Sequence, residues 1–141
     1  MADDRPKRPP EVLLDANVLL RYLTGDPAPM ADRARVLLER AEGGELVLVL
    51  TPLILAECVW VLKSFYKQPL AAIADALQQV LALDGLRIQD VTLVTDALIT
   101  MARANVDFAD AYLAELGKAG GLKMATFDQD FRQLGGETLE F

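Results

Sequence analysis

The chain has 141 residues, 52% of them hydrophobic, so it is long enough for one domain with a proper core and too apolar to be disordered. It contains no histidine, which excludes Ser-His-Asp and Cys-His nucleophile arrangements and every histidine-based metal site. With 14 basic and 21 acidic residues the net charge is −7, so a nucleic-acid partner would require local neutralisation of the acids, for example by a metal ion.

The first ten residues, MADDRPKRPP, combine three prolines with several charges and lack the apolar segment of a signal peptide. We expect residues 1–10 to form a flexible leader and residues 11–141 to form a single domain. No apolar run reaches the roughly 18 residues that cross a membrane. Cys58 is the only cysteine, which excludes an intramolecular disulfide and fits a cytoplasmic protein.

Apolar runs and helix signals alternate along the rest of the chain. We predict strands over residues 12–14, 46–50, 87–89, 122–126 and 138–140. The 3.6-residue spacing of apolar side chains, with Thr, Pro or Gly at the ends, predicts helices over residues 17–23, 30–41, 52–66, 69–83, 92–103 and 109–119. Strands separated by helices need crossover connections, so the predicted fold class is α/β with a mostly parallel central sheet covered on both faces.

Two aspartates follow strands that are predicted to be buried. Asp15 comes directly after residues 12–14, and Asp128 lies just beyond residues 122–126. Because ligands of parallel sheets bind beyond the carboxyl ends of the strands, we expect both side chains at the same edge. Aspartate is also common in turns and helix caps, and that alternative stays open for each residue.

Glu57 lies within a helix whose sequence, PLILAECVWVLKSF, is apolar on every side. We expect such a helix to be buried, and a buried carboxylate is unfavourable unless it is paired, hydrogen-bonded or bound to a metal. An internal salt bridge, or a helix edge that touches water, would account for Glu57 without any chemistry.

Asp107 and Asp110 lie three residues apart where the helix over 109–119 begins. Asp107 suits the N-cap position, and Asp110 could be an acid of the first turn that the helix dipole favours. Asp110 also precedes a face containing Ala111 and Ala114 that must pack inward, so we expect it near the edge of the core.

Four acids in a chain without histidine favour one main chemistry. Mg²⁺ and Mn²⁺ prefer hard oxygen ligands, and such an ion neutralises charge, polarises a phosphoryl oxygen and generates hydroxide from water. Phosphodiester hydrolysis is the reaction class that most often needs these effects. The acids therefore predict a metal-dependent hydrolase.

Four segments resemble, in order, the conserved blocks of PIN domains, and in particular those of the small VapC-type toxins of bacterial toxin–antitoxin pairs. They are VLLDANVLLRYLTGD, LTPLILAECVWVL, VDFADAYLAELGKAGG and MATFDQDF. The resemblance extends from about residue 12 to the C-terminus. It implies a PIN-like α/β/α sandwich and a metal-dependent endoribonuclease that uses Mg²⁺ or Mn²⁺.

The resemblance also implies roles for individual residues and partners. The magnesium site would consist of Asp15, Glu57, Asp110 and Asp128, supported by Asn17 and Thr126 and assisted by Asp107. The implied partners are an RNA substrate and a cognate antitoxin protein that inhibits the enzyme, and many members of the family form homodimers. Basic candidates for RNA contact are Arg21, Lys63, Lys67, Arg103 and Arg132.

Two functions from other classes remain open. The segment DANV faintly resembles the nucleophile loop of haloacid-dehalogenase-like phosphatases, although Asn17 stands where that family has its general acid. Activity on a phosphomonoester such as p-nitrophenyl phosphate would favour this alternative. The other alternative is a non-catalytic PIN-like module that only binds a partner, which a lack of metal binding would favour.

Overall fold

The computed structural model describes residues 8–141. Residues 1–7 of the predicted leader lie outside the described residues, and residues 8–10 are exposed. The carbonyl oxygen of Pro10 already accepts a hydrogen bond from the Val47 N–H at 2.9 Å. Pairing with the sheet therefore begins within the last residue of the predicted leader.

Short strands alternate with helices along the described residues, as the sequence predicted. In chain order the elements are β1 (Glu11–Leu13), α1 (Ala16–Thr24), α2 (Ala28–Glu42), β2 (Val47–Leu50), α3 (Pro52–Ser64), α4 (Leu70–Leu81), β3 (Leu86–Ile88), α5 (Val91–Ala104), α6 (Phe108–Gly120) and a 3₁₀ helix (Gln129–Leu134). The Thr51 hydroxyl accepts a hydrogen bond from the Ile54 N–H at 3.3 Å, so the predicted cap of α3 is confirmed.

The three strands form one parallel sheet in the order β1-β2-β3. Val12 lies opposite Leu48, and Leu48 lies opposite Leu86. The central strand β2 buries Leu48 and Leu50 completely, while Val47 and Val49 between them are half-buried. These observations confirm the α/β fold class and the parallel sheet.

Helices supply most of the core around this small sheet. Each contributes an apolar stripe, and fully buried side chains include Leu19 of α1, Leu55 of α3, Ile73 of α4 and Leu98 of α5. Burial of an aliphatic side chain of this size stabilises the fold by about 1.5–3 kcal/mol. No helix within residues 8–141 is long and apolar enough to span a membrane.

The first strand is less buried than its apolar sequence predicted. Leu14, just after β1, is buried, but Val12 is exposed and 77% of Leu13 is exposed. The reason lies in the strand order, which places β1 at an edge of the described sheet rather than at its centre. Edge strands have a neighbour on one side only, so their side chains are covered less completely.

The prediction of full strands over residues 122–126 and 138–140 is wrong. Within the described part of the chain these segments share a single parallel bridge between Met124 and Thr138. The 3₁₀ helix that follows buries Phe131 and Leu134 against Ala114 of α6, in a small cluster of its own. The C-terminal segment is therefore anchored to α6 by apolar side chains.

The start of β3 gives a test of the packing between the sheet and α2. Gly85 has a φ of +79°, and a Cβ added there would lie 2.2 Å from the carbonyl oxygen of Ala41. Gly44 has a similar φ of +85°, but no other atom lies within 4 Å of its added Cβ. Gly85→Ala should therefore suffer both backbone strain and a steric clash, whereas Gly44→Ala should suffer strain alone.

We expect Gly44→Ala to lower the free energy of unfolding by about 1–2 kcal/mol, the strain of a left-handed alanine. Gly85→Ala should lower the free energy of unfolding by about 1–3 kcal/mol more than Gly44→Ala does, because overpacking adds to the backbone strain. Urea denaturation of both variants measures the difference. Equal losses would show that α2 does not press against Gly85.

Candidate functional site

Asp15 lies at the junction between β1 and α1. It is the N-cap of α1, and its Oδ1 accepts a hydrogen bond from the Ala16 N–H at 2.9 Å. The side chain is exposed, as is that of Asn17 in the first turn of α1. The capping role is therefore real, but it uses only one of the two carboxylate oxygens of Asp15.

Glu57 is exposed, so the prediction of an entirely buried α3 is wrong. One face of the helix, with Leu55, Cys58 and Leu62, is buried against α1, α4 and α6. The opposite face presents Glu57 between two exposed apolar side chains, Leu53 and Trp60. Because both faces are apolar in sequence, the period of the pattern could not reveal which of them packs inward.

The buried thiol of Cys58, next to Glu57 in α3, packs against the start of α1 just after Asp15. Its Sγ is 3.8 Å from the Ala16 carbonyl oxygen, in the position of a weak donor. Burial raises the pKa of Cys58 to about 12, and the negative charges of Glu57 and Asp15 contribute further. Both carboxylates are therefore within electrostatic reach of one atom, which places the end of β1 beside α3.

Asp107 and Asp110 occupy the start of α6. Asp107 is at the N-cap position, but its carboxylate does not cap the helix; instead its Oδ1 lies 3.4 Å from the Lys63 Nζ of α3. Asp110 is half-buried, and burial raises its pKa, with the charges of Asp107 and Asp128 adding to the increase. These three carboxylates therefore form a second group of acids at the α6 end of the site.

Asp128 caps the 3₁₀ helix through backbone contacts on both sides. Its Oδ1 accepts a hydrogen bond from the Asp130 N–H at 2.9 Å, and its own N–H donates to the Thr126 Oγ1 at 3.0 Å. Asp128 is exposed. The Thr126 hydroxyl thus orients the backbone of Asp128.

The structure brings the acids together as two groups. The charges of Glu57 and Asp15 both help to raise the pKa of Cys58, whereas those of Asp107 and Asp128 help to raise the pKa of Asp110. Between residues 8 and 141, no three acidic or thiol side chains are close enough to share a metal ion. The donor chemistry nevertheless fits Mg²⁺ or Mn²⁺, because every candidate ligand is a carboxylate.

A polar contact that the sequence did not reveal holds α6 in place. The Thr100 hydroxyl of α5 donates to Glu115 at 2.7 Å, and Lys118 donates to the same oxygen at 2.9 Å. Burial raises the pKa of Glu115, but the hydrogen bonds from Lys118 and Thr100 outweigh this effect and lower it overall. A Glu and a Lys three residues apart were the available signal, but this pattern is common on exposed helix faces.

The raised pKa of Asp110 predicts how one acid affects stability. A carboxyl whose pKa is higher in the folded state than in the unfolded state destabilises the fold once it is ionised. This penalty is absent below the unfolded pKa, near 3.9 for an ordinary aspartate, and is complete above the folded pKa. In EDTA, Asp110→Asn should therefore raise the melting temperature at neutral pH but not at about pH 3.

Differential scanning calorimetry at both pH values measures this effect. Asp96→Asn, which alters an exposed carboxylate on α5, serves as the control and should shift neither melting temperature. A variant of Asp110 that is less stable than wild type at neutral pH would show that its carboxylate contributes a favourable contact instead.

Comparison with known proteins assigns the chain to a family. The family model for the PIN domain matches residues 12–137, which includes all seven candidate site residues. No curated protein gives a significant match to the chain. PIN domains are generally nucleases and typically use divalent metal ions. Because the match spans nearly the whole sequence and the α/β fold agrees with it, the chain belongs to the PIN domain family.

Proposed function

We propose that this PIN domain is a metal-dependent endoribonuclease that acts in the cytoplasm as the toxin of a toxin–antitoxin pair. The observation that carries the proposal is the presence of an acid at each of four positions, Asp15, Glu57, Asp110 and Asp128, in a chain without histidine. A PIN domain that only binds a partner would not need all four. A phosphatase of the haloacid-dehalogenase type would need a second acid at position 17, where this chain has Asn17.

These four carboxylates are the candidate ligands for Mg²⁺ or Mn²⁺. No three acids of residues 8–141 are close enough to share an ion, so one ion would bind all four only after the two groups of acids approach each other. When bound, the ion neutralises phosphate charge and lowers the pKa of water, which supplies the nucleophile for phosphodiester hydrolysis. Asp15 and Asp128 are oriented in advance, because a backbone N–H fixes one carboxylate oxygen of each. Their second oxygens are outside these hydrogen bonds.

The charges at the α6 end favour a cation. Burial raises the pKa of Asp110, and repulsion of its ionised form by the charges of Asp107 and Asp128 adds to the increase. Lys63 compensates Asp107 through an exposed ion pair, which contributes at most about 1 kcal/mol. A divalent ion would relieve this repulsion more effectively, so the local electrostatics support the proposed metal.

A groove between α1 and α2 supports the proposal of an inhibitory protein partner. It has a volume of about 730 Å³ and is lined by apolar side chains, including Val18, Val36 and Leu37. Arg21, Arg33 and Arg40 also line the groove, together with one acid, Asp32, although the chain as a whole is acidic. Arg40 is paired with Glu45, so Arg21 and Arg33 are the cations that would meet a partner. We propose that it holds an amphipathic segment of the antitoxin with acidic flanks. Because Asn17 lies at the groove, this segment would end beside Asp15.

The nuclease proposal predicts cleavage of RNA that depends on both the metal and the acids. Purified protein without antitoxin should cleave total RNA in Mg²⁺ or Mn²⁺, and EDTA should stop the reaction. Asp15→Asn and Asp110→Asn should each reduce the rate by about 100-fold or more, the scale of losing a group that activates water. Asp84→Asn, which alters an exposed acid in the turn between α4 and β3, should retain activity.

Separate results would disprove separate parts of this proposal. EDTA-insensitive cleavage would exclude the metal mechanism, and absence of cleavage by folded protein would exclude the enzyme. Release of phosphate from p-nitrophenyl phosphate would favour the phosphatase.

Melting curves provide a readout without substrate, because an ion at a hundredfold excess over its Kd stabilises the fold by about 2.7 kcal/mol. Asp15→Asn keeps a residue suited to the N-cap of α1, but the added metal should stabilise this variant much less than it stabilises the wild type.

The toxin proposal predicts growth arrest in bacteria when the chain is expressed alone. Asp15→Asn should relieve the arrest at equal protein level, and the antitoxin gene expected beside this one should rescue growth with the wild type. Val36→Glu places a negative charge in the groove and should abolish the rescue. Arg35→Ala, at the adjacent position outside the groove, should leave the rescue intact. Equal rescue of both variants would show that the antitoxin binds elsewhere.

A further inference from the structure

Among residues 8–141, Thr100 of α5 is the one polar or charged side chain that is buried, with 4% of it exposed. Its hydroxyl donates to Glu115 Oε1 of α6 at 2.7 Å, and the same oxygen accepts a hydrogen bond from Lys118 Nζ at 2.9 Å. A buried hydroxyl that loses its acceptor is unfavourable, because water cannot replace the lost partner. The fold is therefore held in an arrangement that keeps Glu115 beside Thr100.

The apolar contacts of α6 define its rotation and its position along α5 only weakly. The two helices pack against each other, and α6 buries Ala111 and Ala114 completely. Alanine methyl groups form shallow ridges, so they interlock less than larger side chains do. A hydrogen bond is directional and reaches only about 3 Å, so the Thr100–Glu115 contact distinguishes one register of α6 from its neighbours.

The proposed metal ligand of α6 lies near the start of the helix, where local contacts are weak. Asp107 occupies the N-cap position without a capping hydrogen bond, and its ion pair with Lys63 is exposed. Exposed pairs of this kind hold their geometry poorly. Asp110 precedes Glu115 by five residues, which is about 7.5 Å of helix. A helix is stiff over that distance, so a rotation or shift at Glu115 also moves Asp110.

We propose that Thr100 and Glu115 are positioning residues of the nuclease site, whose hydrogen bond sets the register of α6 on α5 and so holds the Asp110 carboxylate in place for a metal ion. This inference rests on the proposed metal-dependent function. It adds two residues that contact neither the metal nor RNA. Lys118 supports the contact from the solvent side, where it neutralises the charge of Glu115.

Two simpler roles for the same contact lead to different results. A contact that only stabilises the fold would affect the melting temperature and leave metal binding by the folded protein unchanged. A carboxylate that attracts the metal through its charge would lose this effect when it is neutralised, whatever its hydrogen bonds. A positioning contact depends instead on the hydroxyl donor and on an acceptor opposite it.

Thr100→Val removes the hydroxyl donor and keeps the shape of the side chain. Without RNA, the Kd for Mn²⁺, measured from the electron paramagnetic resonance signal of the free ion, should rise about 10- to 100-fold, the scale for residues that orient metal ligands. At saturating Mn²⁺, the kcat for RNA cleavage should fall while the KM for RNA changes little, because a displaced acid impairs the chemical step. Thr100→Ser restores the hydroxyl and should recover both the Mn²⁺ affinity and kcat.

Two control variants separate the possible roles. Glu115→Gln keeps an acceptor for Thr100 and removes the charge, so it should bind Mn²⁺ nearly as tightly as the wild type. Ile73→Val deletes one methyl group from a fully buried side chain of α4 and leaves the Thr100–Glu115 contact intact. It should lower the melting temperature without changing the Kd for Mn²⁺. If Thr100→Val does not fold, Glu115→Ala removes the acceptor instead and carries the same expectation.

The failures of the inference and of the proposed function are distinguishable. If Thr100→Val binds Mn²⁺ and cleaves RNA like the wild type, the contact is only structural, and the inference is overturned while the nuclease proposal stands. The inference is also wrong if Thr100→Ser recovers nothing, or if Glu115→Gln or Ile73→Val loses as much Mn²⁺ affinity as Thr100→Val. If the folded wild type neither binds Mn²⁺ nor cleaves RNA, the proposed function fails and this inference fails with it.

Discussion

The contact between α1 and α3 fixes the position of the site. The Cys58 thiol of α3 lies against the Ala16 carbonyl at the start of α1, where neither group meets water. A larger or charged residue at position 58 would push the two helices apart, since interiors are packed too densely to absorb an extra group. Asp15 and Glu57 flank this contact, so the same packing that stabilises the core sets the relation between the two acids.

Much of this arrangement could be predicted from the sequence, because it depends on local signals. The Thr51-Pro52 pair marks the start of α3, and the junction of an apolar run with Asp15 marks the end of β1. The exposure of Glu57 could not be predicted in the same way. Leu53 and Trp60 are apolar but face solvent, and only the tertiary neighbours of α3 decide which side of an apolar helix is buried.

The structure of the C-terminal segment could not be predicted from its own residues. An apolar run such as residues 122–126 predicts a strand, but a strand forms only where a neighbour offers its hydrogen bonds. Here Phe131 and Leu134 tie the segment to α6, so the charge of Asp128 acts on Asp110. For one ion to contact both groups of acids, this segment would have to approach the exposed edge of β1. A further parallel strand at that edge would place an aspartate at its carboxyl end beside Asp15.

The charge distribution explains how an acidic PIN domain could still handle RNA. At least five cations are paired with carboxylates of the same chain, in the pairs Arg35–Glu39, Arg40–Glu45, Lys63–Asp107, Arg87–Glu11 and Lys118–Glu115. A surface of this kind neutralises few phosphates, so release of counterions contributes little to affinity. If the proposed nuclease acts on RNA, its binding would then depend on contacts that need no net positive charge, such as a metal ion between carboxylates and phosphate. Affinity built in this way falls only weakly with salt and strongly with removal of the metal, the opposite of a basic RNA-binding domain.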